Sequence, residues 1–233
     1  MADEGQLGKL KEQYVDDIIT VVPLSQACFI VVMVLTYDQL ASGAAKTLLQ
    51  ALGNFGLKSS LGPDGGRFWS ISILPICGAF LLALLNTYVF QRRLSNSLRV
   101  AKISQYLVRW QATALQKVQG LSADRRQVIH SSIKPEIETR LRKFKAKRIA
   151  VELLMSLMAV AFYSNVFIVF LSYEKNYSVE FKLYDFLFIL IGVVVSLFLH
   201  KDSVSYAIAK VLPLKVYAGV LTGELVFFEE ISG

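Results

Sequence analysis

Hydrophobic positions along this chain fall into four long runs: Ile18 to Tyr37, Phe68 to Phe90, Leu153 to Tyr173 and Leu183 to His200. A helix crossing a hydrocarbon core needs about 20 apolar residues, and the first three runs contain no charged side chain. The fourth is shorter and carries Asp185 near one end, where a carboxylate still reaches interfacial water. The pattern predicts an all-α polytopic membrane protein with four transmembrane helices: TM1 (18–37), TM2 (68–90), TM3 (153–173) and TM4 (183–200).

The polar stretches between the runs have their own periodicity. In the loop 38–67, Leu40, Ala44, Leu48, Leu52 and Phe55 recur at helical spacing, which predicts a short helix lying in the outer interface. Leu61-Gly62-Pro63-Asp64-Gly65-Gly66 then reads as a turn. Arg67 and Trp69 open TM2 at interfacial positions, and Pro23 and Pro75 are expected to kink the first two spans.

After Phe90 there is no Gly or Pro until Gly120, so TM2 is expected to run on as one helix. Leu94, Ala101, Val108 and Leu115 recur every seven residues, and Leu107, Trp110, Ala114 and Val118 form a neighbouring stripe. That is the pattern of a helix packed on a partner; at 1.5 Å per residue it would project roughly 40 Å beyond the membrane. Gly120 marks the reversal, with Ser122 as N-cap of a short helix to about His130. Ser131 to Pro135 predicts a break and restart, after which Ile133, Ile137, Leu141 and Phe144 form an apolar stripe leading into TM3. Residues 91–150 therefore read as a long cytosolic helical hairpin between helices 2 and 3.

The last segment, 203–233, divides in two. Val204, Ala207, Ile208 and Val211 form one side of an amphipathic helix that Pro213 is expected to end. Lys215 to Val220 and Glu224 to Phe228 are β-prone runs flanking Thr222-Gly223, which predicts a small C-terminal β-hairpin.

Charge orients this plan. Residues 91–150 hold fifteen Lys and Arg against three acidic residues, and short Lys/Arg-rich loops stay cytoplasmic. Four spans then put both termini inside, with five positive side chains (Lys46, Lys58, Arg67, Lys175 and Lys182) outside. No positive region leads into a cleavable signal segment, so none is expected. The net charge of +7 is thereby explained by insertion bias, which disfavours nucleic acid as a partner. The expected location is the bacterial inner (plasma) membrane.

Candidate chemistry is sparse. Cys28 and Cys77 lie in the first two spans as small packing residues, His130 and His200 belong to no metal-spacing motif, and no P-loop, dinucleotide pattern, HExxH or GxSxG is present. No enzyme activity, cofactor or metal is expected. The strongest polar groups at mid-depth are Gln26 and Asn165, read as interhelical hydrogen-bonding groups or, alternatively, as pore-lining groups between protomers. Ala79 and Ala83, and Gly192 and Ser196, give small-xxx-small helix-packing contacts. Arg92, Arg93, Arg140, Arg142, Lys143, Lys145, Lys147 and Arg148 form the densest charge and are the expected contact for anionic lipids of the cytoplasmic leaflet or an acidic partner.

Two functions compete on these grounds. One is an oligomeric scaffold or sensor that recruits a cytosolic protein through the basic hairpin and C-terminal tail. The other is a pore-forming or membrane-perturbing effector or ion channel, of the kind found in bacterial antiviral defence operons. A small secondary transporter is disfavoured because the spans lack mid-depth charge and an internal repeat. The gross plan is shared with motor stators and some calcium channels, and no motif selects among them.

Overall fold

The protein is described here by a computed structural model covering residues 23–54, 56, 62, 66–100, 103–172 and 182–223. The N-terminal tail, the start of TM1, most of the Leu61–Gly66 turn, the loop containing Lys175 and the second half of the expected β-hairpin lie outside the described residues. Among those described, every regular element is helical. Four helices are long and apolar enough to cross a membrane.

The helices are α1 (Pro23–Ala41), α2 (Leu48–Gly53), α3 (Ile73–Val100), α4 (Ile103–Val118), α5 (Ala123–Ser172), α6 (Leu183–Tyr206) and α7 (Leu212–Thr222); a 3₁₀ turn spans Arg67–Ser70 and a π turn Ala207–Val211. The described residues divide into two compact units, one within 23–90 and 149–199, the other within 91–148 and 200–223.

In the first unit, Phe29, Met33 and Val34 of α1 are buried together with Ala79 and Ala83 of α3 and Val160 of α5. A second cluster joins Leu40, Ala45, Leu48 and Ala51 to Ala161 and Ile168 of α5, with Phe188 and Ile189 of α6 packed against it. The stripe expected as one outer interfacial helix is therefore split: Leu40 ends α1, a turn follows, and Leu48 of α2 turns back onto the spans. Two side-chain bonds start α2: the hydroxyl of the N-cap Thr47 accepts from the Gln50 amide (3.3 Å), and the Gln50 side chain accepts from the Lys46 amide just before the cap (3.0 Å).

Pro75 does not kink a span. The helix begins at Ile73, so Pro75 sits in its first turn, where the missing N–H has no intrahelical partner to lose. Cys28 and Cys77 are exposed on the chain; they are outward-facing groups rather than the packing residues expected.

The second unit is built on α4 and α7. Ile103, Leu107, Ala114 and Val118 are buried with Leu212, Val216 and Val220, and Phe144 of α5 completes the core. The reversal at Gly120 takes the left-handed conformation, φ 87°, as a glycine tolerates. Ser122 occupies the N-cap position, its carbonyl accepting from the Arg126 amide at 3.0 Å. Residues 101 and 102, between α3 and α4, lie outside the described residues.

Three expectations here are corrected. Pro135 lies inside α5, which runs without a break from Ala123. The hydroxyls of Ser131 and Ser132 donate back to the carbonyls of Val128 and Ile129 (2.8 Å each), extra bonds at the turn that proline weakens. Ile129, Ile133 and Leu141, on both sides of Pro135, pack on the same core, so tertiary burial overrides the local break. Pro213 likewise does not end the helical run. The Leu212 amide bonds the Ala207 carbonyl across the π turn, which places Pro213 in the first turn of α7, where proline is tolerated. Finally, Lys215–Val220 is helix, not strand: Val216 and Val220 are spent on packing against α4, a context that outweighs β propensity. The Thr222-Gly223 pair read as a hairpin turn is a helix C-cap, with Gly223 at φ 76° and its N–H bonded to the Gly219 and Val220 carbonyls.

Gln111 lies on the α4 stripe one turn from both Leu107 and Ala114. It is 1 % exposed, and neither its amide nitrogen nor its oxygen has a hydrogen-bond partner. An unpaired buried amide costs about 1–3 kcal/mol. Gln111→Met is therefore expected to raise the thermal unfolding midpoint of the detergent-solubilised protein; an unchanged or lower midpoint would show that the amide is satisfied in solution.

Candidate functional site

Three of the long apolar helices build a polar cluster in which Ser25, Glu152 and Ser156 are buried and Gln26, Asn86 and Thr87 half-buried. Ser25 and Gln26 stand in the first turn described of α1, Asn86 and Thr87 on α3, and Glu152 and Ser156 one turn apart on α5. Together they line a cavity of about 10 Å³, room for about one water molecule. The Ser25 hydroxyl donates to Glu152 Oε2 (3.3 Å), and Gln26 Nε2 donates to Thr87 Oγ1 (3.1 Å). These two bonds tie α1 to α5 and α1 to α3.

Glu152 is only 2 % exposed. It stands one residue before the run Leu153 to Tyr173 expected as TM3, and the structure buries it. The available signal was the i, i+4 pair Glu152/Ser156 at the start of an apolar run, which puts a carboxylate and a hydroxyl on one helix face. Carboxylates in a membrane bundle are costly and concentrate at functional positions.

Asp185, expected to reach interfacial water, is 0 % exposed. Its Oδ1 accepts from the Leu49 amide (3.1 Å), so the first turn of α6 satisfies an orphan N–H at the start of α2. Asn165 is also buried; its Nδ2 donates to the Ala161 carbonyl one turn earlier (3.1 Å), and its Oδ1 has no partner. Of the two mid-depth amides, Gln26 bonds across helices and Asn165 bonds within its own.

Ala79 and Ala83 face the α1/α5 core described above. Gly192 abuts Met158 Sδ, where an added Cβ would collide, and the Ser196 hydroxyl donates to the Gly192 carbonyl (2.7 Å). Gly192→Ala is expected to destabilise the α5/α6 contact, and Met158→Ala to restore stability in the double variant. Thermal unfolding of the four proteins in that cycle checks the coupling, and simple additivity would refute it.

The eight basic residues separate into three groups. Arg140 is engaged internally, with Nε on Glu136 Oε1 (2.6 Å) and Nη1 on the Lys210 carbonyl (3.2 Å). Lys147 donates to Asp202 Oδ2 (2.5 Å) and lies 5.0 Å from the Tyr206 ring centroid. Arg148 is buried on the Leu141/Phe144 stripe, so that stripe is not wholly apolar as expected. Arg92, Arg93, Arg142, Lys143 and Lys145 are exposed. Arg142, Lys143 and Lys145 present three cations within four residues of one helix.

No family model, curated protein or solved structure matches this chain.

Proposed function

We propose that this protein is a non-enzymatic, oligomeric scaffold or sensor of the bacterial inner (plasma) membrane. In this reading both termini are cytoplasmic, the four apolar helices anchor the chain, and the unit containing 91–148 and 200–223 is the cytosolic body. That body recruits a cytosolic protein partner and rests on anionic lipid. The observation that carries the reading is the division of labour on α5: Leu141 and Phe144 are committed to the body's core, while Arg142, Lys143 and Lys145 remain exposed. A folded body with an uncommitted cationic face suits reversible recruitment.

One observation favours the alternative, an ion-conducting effector: a carboxylate buried among polar side chains within the spans. The readings separate by experiment. A photo-crosslinking residue at Lys143 in cells reports a protein partner, and potassium release from liposomes carrying the purified protein reports conduction. The scaffold reading expects a discrete crosslinked species and no release; conduction without a crosslinked species would favour the channel.

Gln26→Leu and Asn165→Leu sharpen this comparison. Each removes at most one helix-tying bond, worth about 0.6–1.7 kcal/mol in membranes. Both are expected to leave the crosslink intact, and a channel would instead change its release rate.

A further inference from the structure

A second cavity in the spans has a different character. It encloses about 210 Å³ and is lined by α1, α3 and α5. Its shape follows from one missing side chain. Leu74, Gly78 and Leu82 lie one helical turn apart on α3, and Gly78 leaves a notch between two leucines; an added Cβ there would meet nothing within 4 Å. Met33 and Tyr37 of α1 and Phe167 of α5 form the opposing walls. Leu74 is 78 % exposed, so the notch opens on the outer surface of the spans. From Leu74 to Leu82 it follows two turns of helix, roughly 12 Å.

The geometry points to a bound phospholipid acyl chain in this crevice, running along α3 through the Gly78 notch. This rests on reading α1, α3 and α5 as membrane spans. At that depth the surrounding medium is hydrocarbon, and water gains no hydrogen bonds in an apolar crevice. Two turns of helix give a linear chain a continuous apolar track, and the volume exceeds the roughly 150 Å³ at which dry protein cavities already take up benzene. A chain seated there touches three helices at once, so it fills a void that would otherwise leave their packing incomplete.

The test uses the full chain in phosphatidylcholine nanodiscs, extracted into mild detergent and weighed intact by native mass spectrometry. Wild type is expected to retain one phosphatidylcholine per chain that Gly78→Trp loses, while Leu190→Trp, on an exposed face of α6, retains it. Phosphatidylcholine with a diazirine on its acyl chain is expected to label wild type within Leu74–Leu82 or at Phe167. That measurement needs no substitution and stands if Gly78→Trp fails to fold. Equal lipid retention by wild type and Gly78→Trp, or labelling spread evenly over all exposed span faces, overturns the proposal. A changed oligomeric mass in Gly78→Trp with unchanged lipid would assign the crevice to a second copy. Recovery of the chain without detergent or lipid would overturn the span reading itself, a result distinct from a vacant crevice in a membrane-embedded protein.

Discussion

Replacing Arg142, Lys143 and Lys145 together by glutamine is expected to weaken binding to anionic membranes roughly 100-fold. Each cation close to an anionic leaflet contributes about 1 kcal/mol, so three remove about 3 kcal/mol, and each 1.4 kcal/mol is a factor of ten. The three side chains are exposed, and their loss should leave the fold alone. The neighbours behave differently: Arg140 and Lys147 hold Glu136, Lys210 and Asp202 of the same unit, and their substitution disturbs that body as well. The measurement is a titration of the protein, held in neutral-lipid nanodiscs, with vesicles containing phosphatidylserine. Wild-type affinity should fall as salt shortens the screening length from roughly 10 Å at 0.1 M, whereas the triple glutamine variant should respond weakly. Equal affinity of the two proteins would remove the cationic face from the proposed function.

That face was legible in the sequence because charge density needs no fold to be counted. The spans were legible for a similar reason: a run without charge at bilayer length has few other uses. The helix pairing of α4 was also readable, since Leu107, Ala114 and Val118 keep one face whatever they pack on. What they pack on was not readable. Val216 and Val220 have the composition of a strand, and only the α4 surface makes them helical. Pro135 and Pro213 show the same limit from the other side. A proline's local effect can be written from its chemistry, but Ile133 and Leu141 on either side of Pro135 and the π turn before Pro213 decide whether the helix yields. The burial of Glu152 was not readable, because its neighbour in sequence, Leu153, gives no hint of Ser25 and Thr87, which reach the same cavity from other helices. Depth along a span can be counted from the sequence; the direction in which a residue at its edge faces requires the partner helices.

Glu152→Leu is the corresponding test inside the spans, and it is expected to destabilise the protein by about 2–3 kcal/mol. The carboxylate accepts from the Ser25 hydroxyl, and leucine removes that buried acceptor, a loss of about 1–3 kcal/mol and more when a charged group is involved. If these helices span a bilayer as proposed, leucine recovers nothing by being apolar, because lipid is as apolar as a protein core and rewards no burial. Glu152→Gln keeps the size and an acceptor oxygen, so its loss should be less than half as large. Ser25→Ala combined with Glu152→Leu then isolates the bond, because each single change removes it, with a coupling of about 0.6–1.7 kcal/mol expected for an interhelical pair in a membrane. Thermal unfolding in one detergent, followed by tryptophan fluorescence, measures the four members of the cycle and Glu152→Gln. A Glu152→Leu protein more stable than wild type would contradict the structural role. It would mean the bundle carries this carboxylate at a cost, as buried charges are carried where ions or protons pass, and the flux measurement on liposomes would become decisive.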